Sequence, residues 1–112
     1  MKIAITSTGP NLDDTLDPRF GRAQYLLIID TDTLACESLQ NPNVDAGSGA
    51  GIRAAQIITG KGVEVLLTGN CGPNASQALA AAGIRVQTNN AGTVREVVER
   101  FKREASQSES VS

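Results

Sequence analysis

Arg19 and Arg22 bracket Phe20 and Gly21 in the run Asp-Pro-Arg-Phe-Gly-Arg, residues 17–22. Guanidinium groups fork hydrogen bonds to anions and are only weakly hydrated, so such a pair suits a negatively charged ligand. Glycine-rich turns add to this: Gly49 and Gly51 lie in Gly-Ser-Gly-Ala-Gly, and Gly69 and Gly72 in Thr-Gly-Asn-Cys-Gly-Pro. Glycine lets backbone amides approach a ligand closely, and a helix start presents unpaired N–H donors and a positive dipole end. The chemistry implied is electrostatic binding of an anion. Arg19 and Arg22 are its charge partners, Phe20 an apolar wall, and Gly21, Gly49, Gly51, Gly69 and Gly72 its amide or close-approach positions, with Asn41 and Asn70 in the same loops.

Plainer roles compete. Arg19 could pair with Asp14 or Asp17 on the loop surface, Phe20 could plug the core, and the glycines could serve only turns and packing. Gly-Ser-Gly-Ala-Gly lacks the Lys-Ser/Thr ending of a phosphate-cradling loop. Cys71 precedes Gly72 and Pro73 at a predicted helix start, where a thiol can be acidified into a nucleophile or soft metal ligand. Activation needs a base or cation beside it, and the chain has no histidine. Gln77 stands where a phosphatase loop needs arginine. Cys71 therefore reads as a small turn residue facing the pocket, with a soft contact to the ligand left open, and Cys36 as strand packing. Two cysteines without Cys-x-x-Cys spacing do not support a tetrahedral zinc site. A magnesium nuclease would need strand-end carboxylates, whereas Ile3, Ala4, Ile5 and Thr6 are neutral.

The elements that must position these residues are legible from pattern. Residues 2–6 form a short strand leading into a long polar loop, and residues 23–42 give two strands in an antiparallel hairpin turning at 30–33, the second alternating Leu34, Cys36, Ser38 against Ala35, Glu37, Leu39. A helix follows from about Gly47, with Ile52, Ala55 and Ile58 or Thr59 on its apolar face and Gly60 or Gly62 closing it. Val-Glu-Val-Leu-Leu is a buried strand. Pro73 opens a second helix and Gly83 ends it, and Ile-Arg-Val-Gln-Thr is a last strand. Thr93 and Glu96 have capping-box spacing before a helix with Val94, Val97, Val98 and Phe101 inward. The order βββαβαβα predicts a three-layer α/β domain with a mixed five-stranded sheet. Segments 7–22, 41–51, 69–74 and 88–92 should then gather beyond the carboxyl ends of its parallel strands, where open sheets bind ligands.

At 112 residues the chain fits one domain. Its net charge of -2 lacks the basic excess that draws proteins to nucleic acid or anionic membrane. The first apolar run is broken by Thr6 and Ser7, too short for a signal peptide or a membrane span, so a cytoplasmic location is expected.

Several motifs in order resemble the dinitrogenase iron-molybdenum cofactor biosynthesis family over roughly residues 1–104: Asp-Pro-Arg-Phe-Gly-Arg with the strand after it, the Asn41 turn, the Gly-Ala-Gly of 49–51, the 68–84 block and Thr-Val-Arg-Glu-Val-Val-Glu-Arg-Phe. The resemblance implies a ribonuclease H-like domain over 1–104; the polar composition of 105–112 predicts a disordered tail after it. The resemblance also implies binding or carriage of a metal–sulfur cluster, supplied and accepted by other proteins. Single-domain members of this size resemble the chain most, and they imply a noncovalently held molybdenum–copper–sulfide cluster. Such a cluster is anionic and brings its own soft ligands, which suits arginines and amides. Nitrogenase-associated members tend to carry His where this chain has Arg19, so the resemblance does not extend to histidine ligation. The expected function is thus a non-enzymatic cluster binder. The alternatives are an enzyme acting on a phosphorylated or nucleotide substrate at the same site, and a protein-interaction adaptor without a ligand.

Overall fold

The structure, a computed structural model, describes residues 1–42 and 49–111, with side chains to 105. Gly47 and Ser48, part of the glycine-rich stretch, lie outside the described residues. The elements are β1 (Lys2–Ser7), β2 (Tyr25–Asp30), β3 (Cys36–Gln40), α1 (Ala50–Thr59), β4 (Val65–Leu67), α2 (Pro73–Ala81), β5 (Arg85–Gln87) and α3 (Val94–Val111). The backbone of α3 runs on into the polar stretch at 105–112 that the sequence left without structure. Glu104 and Ala105 favour helix and contain no breaker, so nothing local stops the intrahelical ladder there. Among the described residues no helix is long and apolar enough to cross a membrane.

One sheet of order β3-β2-β1-β4-β5 holds all five strands. β1 runs antiparallel to β2 and parallel to β4, β2 is antiparallel to β3, and β4 is parallel to β5. Strands buried on both faces carry continuous apolar runs, and their alternate residues divide between two cores. Ile3, Ile5, Leu27, Ile29, Val65 and Leu67 pack under α3 with Val94, Val97, Val98 and Phe101. Ala4, Leu26, Ile28 and Leu66 face the other way, against Ala54, Ala55 and Ile58 of α1 and Ala75 and Leu79 of α2. Two helices thus cover one face and one helix the other.

Two patterns read differently in three dimensions. Ile52, expected inward, is 39% exposed, whereas Ala50, Ala54, Ala55 and Ile58 are buried. The helix starts at Ala50 with the i, i+4, i+8 row turned to the sheet, which rotates Ile52 to the rim. In the hairpin's second strand only Leu39 is partly covered, and Cys36, Glu37 and Ser38 are exposed. Leu34 lies before the strand at φ 62. β3 is a sheet edge, where alternation has little to pack against.

Helix punctuation follows local chemistry. Pro73 stands at the start of α2, and Gly83 adopts φ 80 after its end, a conformation costly for other residues. At α3 the Thr93 amide donates to Glu96 Oε1 at 2.9 Å, and the Glu96 amide donates to Thr93 Oγ1 at 3.1 Å. The backbone bond from Thr93, then its hydroxyl, hold the Glu96 carboxyl below its ordinary pKa. A lowered folded-state pKa gives stability that is present above the unfolded value and is lost as pH falls through the folded one. Thr93→Ala is therefore expected to cost about 1 kcal/mol at neutral pH. Its cost should shrink once Glu96 is protonated, as urea unfolding at neutral and acidic pH will show.

Candidate functional site

β1 and β4 lie side by side and parallel, but the chain leaves β1 toward β2 and leaves β4 toward β5. At such a switch point the outgoing loops part and leave a crevice beyond the strands' carboxyl ends. The crevice here measures about 330 Å³ and is walled by residues 19–22, by 49–52 at the start of α1, and by 70 and 72–75 at the turn into α2.

Its floor is set by backbone contact. Asn70 N donates to Pro18 O at 2.7 Å and Phe20 N to Asn70 O at 3.2 Å, so the loop after β1 adds a short parallel rung to the turn after β4. A Cβ on Gly69 would stand 2.7 Å from Pro18 Cα, and one on Gly21 2.7 Å from Gly51 N. These glycines let loop and helix start touch. Deeper down, Thr6 Oγ1 donates to Asp17 O at 2.6 Å and lies 2.8 Å from Thr68 Oγ1. Because the Thr6 proton is committed to Asp17 O, Thr68 is the donor to Thr6. This relay ties the ends of β1 and β4 beneath the site.

The charge pattern is one-sided. Neither α1 nor α2 has a side-chain cap or an acidic residue in its first turn. Their first intrahelical bonds come from Arg53 N to Gly49 O and Ser76 N to Gly72 O. The amides of Ala50, Gly51, Ile52, Asn74 and Ala75, all at the crevice, therefore find no acceptor among the described residues. At α3, by contrast, Val94 N and Arg95 N donate to Asp14 O and Leu12 O. Arg22 is exposed and makes no ion pair among the described residues. The Arg19 side chain is 60% exposed, with Nε 3.4 Å from Asp17 Oδ1. Exposed cations, open helix starts and no lining carboxylate make a surface that attracts anions.

Arg19, Phe20, Gly21, Arg22, Gly49, Gly51, Asn70 and Gly72 meet at the crevice. Phe20 does so from below: it is 2% exposed and belongs to the core under α1 and α2, so it plugs the core more than it walls the site. Asn41 stands behind the loop, its Nδ2 donating to Gly21 O and Ala23 O at 3.1 and 2.9 Å. Gly69 serves the Pro18 contact. Segment 88–92 is a brace as well, with Asn89 N donating to Gly69 O and Asn90 Nδ2 to Thr68 O. Cys71, expected to face the pocket, is half-buried and packs against the core. Ala75 and Leu79 of the helix that follows belong to the same core and give the thiol apolar surroundings. Cys36 is exposed near Leu12 and Asp13, and desolvation raises its thiol pKa. The suggested Arg19–Asp17 pair does form. The unpaired amides expected where a helix begins near Pro73 are those of Asn74 and Ala75. Sequence reasoning missed the burial of Asp17, for which no local signal exists.

Fold and site together define a small α/β domain with an anion-accepting crevice at the switch point of a mixed sheet. The chain belongs to the dinitrogenase iron-molybdenum cofactor family, whose model matches residues 1–104. It is similar to the orange protein of Desulfovibrio gigas, solved in its apo form: 48% identity, 92% of this chain and 88% of that one covered, TM-score 0.89. A Thermotoga structure described as a candidate NifB protein is 38% identical, covering 91% and 87% with TM-score 0.79. An uncharacterized protein of Methanocaldococcus jannaschii is 28% identical over 104 residues, 90% of this chain and 85% of its own length.

Proposed function

We propose that the chain binds and carries an anionic metal–sulfur cluster of the molybdenum–copper–sulfide class, held noncovalently in the crevice, in the cytoplasm, between donor and acceptor proteins and without turnover. The observation that carries this reading is a crevice of two arginines and five open amides without a ligating side-chain set. No group of three or more His, Cys, Asp or Glu able to hold a metal ion exists among the described residues. A bare cation finds no partners in such a place. A cluster that carries its own sulfide needs none, and its negative charge matches the amides and guanidinium groups. Membership of a family described by the iron-molybdenum cofactor supports the metal–sulfur part. The sheet order supports kinship with ribonuclease H-like domains, here with no carboxylate among the residues lining the crevice.

Tetrathiomolybdate and cuprous ion added to the protein are expected to develop visible charge-transfer bands that co-elute with it, while nucleotides leave its melting temperature unchanged. Colour that separates from the protein, or stabilisation by nucleotides alone, overturns the proposal. Because Cys71 packs against the core, Cys71→Ser should retain the colour within about twofold. Complete loss in that variant would make the thiol a ligand.

A further inference from the structure

Asp17 is the one charged side chain among the described buried residues, 2% exposed beneath a crevice that carries two arginines and is lined by no carboxylate. Its Oδ1 accepts from Arg19 N at 3.1 Å and faces Arg19 Nε at 3.4 Å. Its backbone is held separately, with its amide donating to Thr6 O and its carbonyl accepting from Thr6 Oγ1. Both contacts of Oδ1 could be met by the amide oxygen of asparagine, which would avoid burying a charge. The negative charge is therefore more than the loop geometry requires. Toward an anion in the crevice it acts as a repulsion that water screens poorly, because Asp17 is covered whereas Arg19 and Arg22 are exposed.

We propose that Asp17 is a built-in counter-charge that limits how tightly the crevice holds an anion, so that cargo can be passed on; the inference rests on the binding reading above. A site made only of cations and amides would retain a multiply charged guest. One buried carboxylate under Arg19 neutralises part of that field while keeping Nε engaged and leaving the outer guanidinium nitrogens to meet the ligand.

The test compares wild type with Asp17→Asn by titration with two probes, tetrathiomolybdate and sulfate. Asp17→Asn should bind each dianion about tenfold more tightly. Unchanged or weaker binding by the folded variant overturns the inference. Asp17→Ser, neutral and able to accept from the Arg19 amide, provides the same comparison should the asparagine variant not fold. Failure of both to fold would assign the charge to the fold and overturn the inference too. If wild type takes sulfate but not the thiometallate, the cluster reading fails while the sulfate arm still decides the counter-charge. If no form binds either anion, both fall.

Discussion

Replacing Arg19 and Arg22 together by alanine is expected to weaken cluster retention by about a hundredfold, taking each guanidinium as roughly a tenfold contribution at a partly solvated site. The two should not contribute equally. Arg22 has no carboxylate partner among the described residues, so its whole charge is available to the ligand, whereas Arg19 shares Nε with Asp17. Arg22→Ala should therefore cost more binding than Arg19→Ala. Stability should rank the other way. Arg22 is exposed and its loss should stay within about 0.5 kcal/mol, but Arg19→Ala leaves the buried Asp17 carboxylate without its ion-pair partner and should destabilise the fold more. The double variant should also lose most of the salt sensitivity of binding, since the screened interactions are gone. Gel filtration of the coloured complex at low and high salt, with urea unfolding of the apo forms, separates these effects. Retention in the double variant equal to wild type would mean that the cluster is held elsewhere.

How much of this could be read from the chain depends on whether a signal is local. Pro73, Gly83 and the Thr93–Glu96 box act within one turn of their own helix, and each stands where its chemistry placed it. The hairpin of β2 and β3 and the inward row Val94, Val97, Val98, Phe101 are likewise short-range patterns. The site is different. Whether Gly21 lines the crevice or merely turns the chain depends on Gly51, thirty residues away, and the role of Gly69 depends on Pro18. Asn41 looks like a loop donor in sequence, and only the return of residues 21–23 past it makes it a brace. Cys71 and Gly72 are neighbours, yet Cys71 packs against the core while Gly72 lines the crevice, a division their residue types do not announce. Sequence could name the segments and the sign of the charge they attract. It could not say which side chains face the guest, because that follows from long-range packing.

Gly21→Ala should both destabilise the protein, by about 1–3 kcal/mol, and reduce cluster retention about tenfold or more, although it removes no charge and no donor. The new Cβ would stand 2.7 Å from Gly51 N and 2.8 Å from Gly51 Cα. Those atoms are backbone at the start of α1, so no rotamer change relieves the contact. Either the 18–22 loop withdraws from the helix or the first turn of α1 moves away. In both cases the open amides of Ala50, Gly51 and Ile52 separate from Arg19 and Arg22, and an electrostatic cradle weakens with distance. The first turn of α1 has little slack on its other side, since a Cβ on Gly51 would already come within 3.0 Å of Ala75 Cβ on α2. Gly60→Ala is the control outside the crevice. Gly60 caps the other end of α1 with φ -67, and its Cβ would meet nothing closer than Ile57 O at 3.5 Å. That substitution should change stability by no more than about 0.5 kcal/mol and leave retention nearly intact. Urea unfolding and colour retention on the two variants decide the matter: a Gly21→Ala protein as stable and as well loaded as Gly60→Ala would show that the closeness of loop and helix does not build the site.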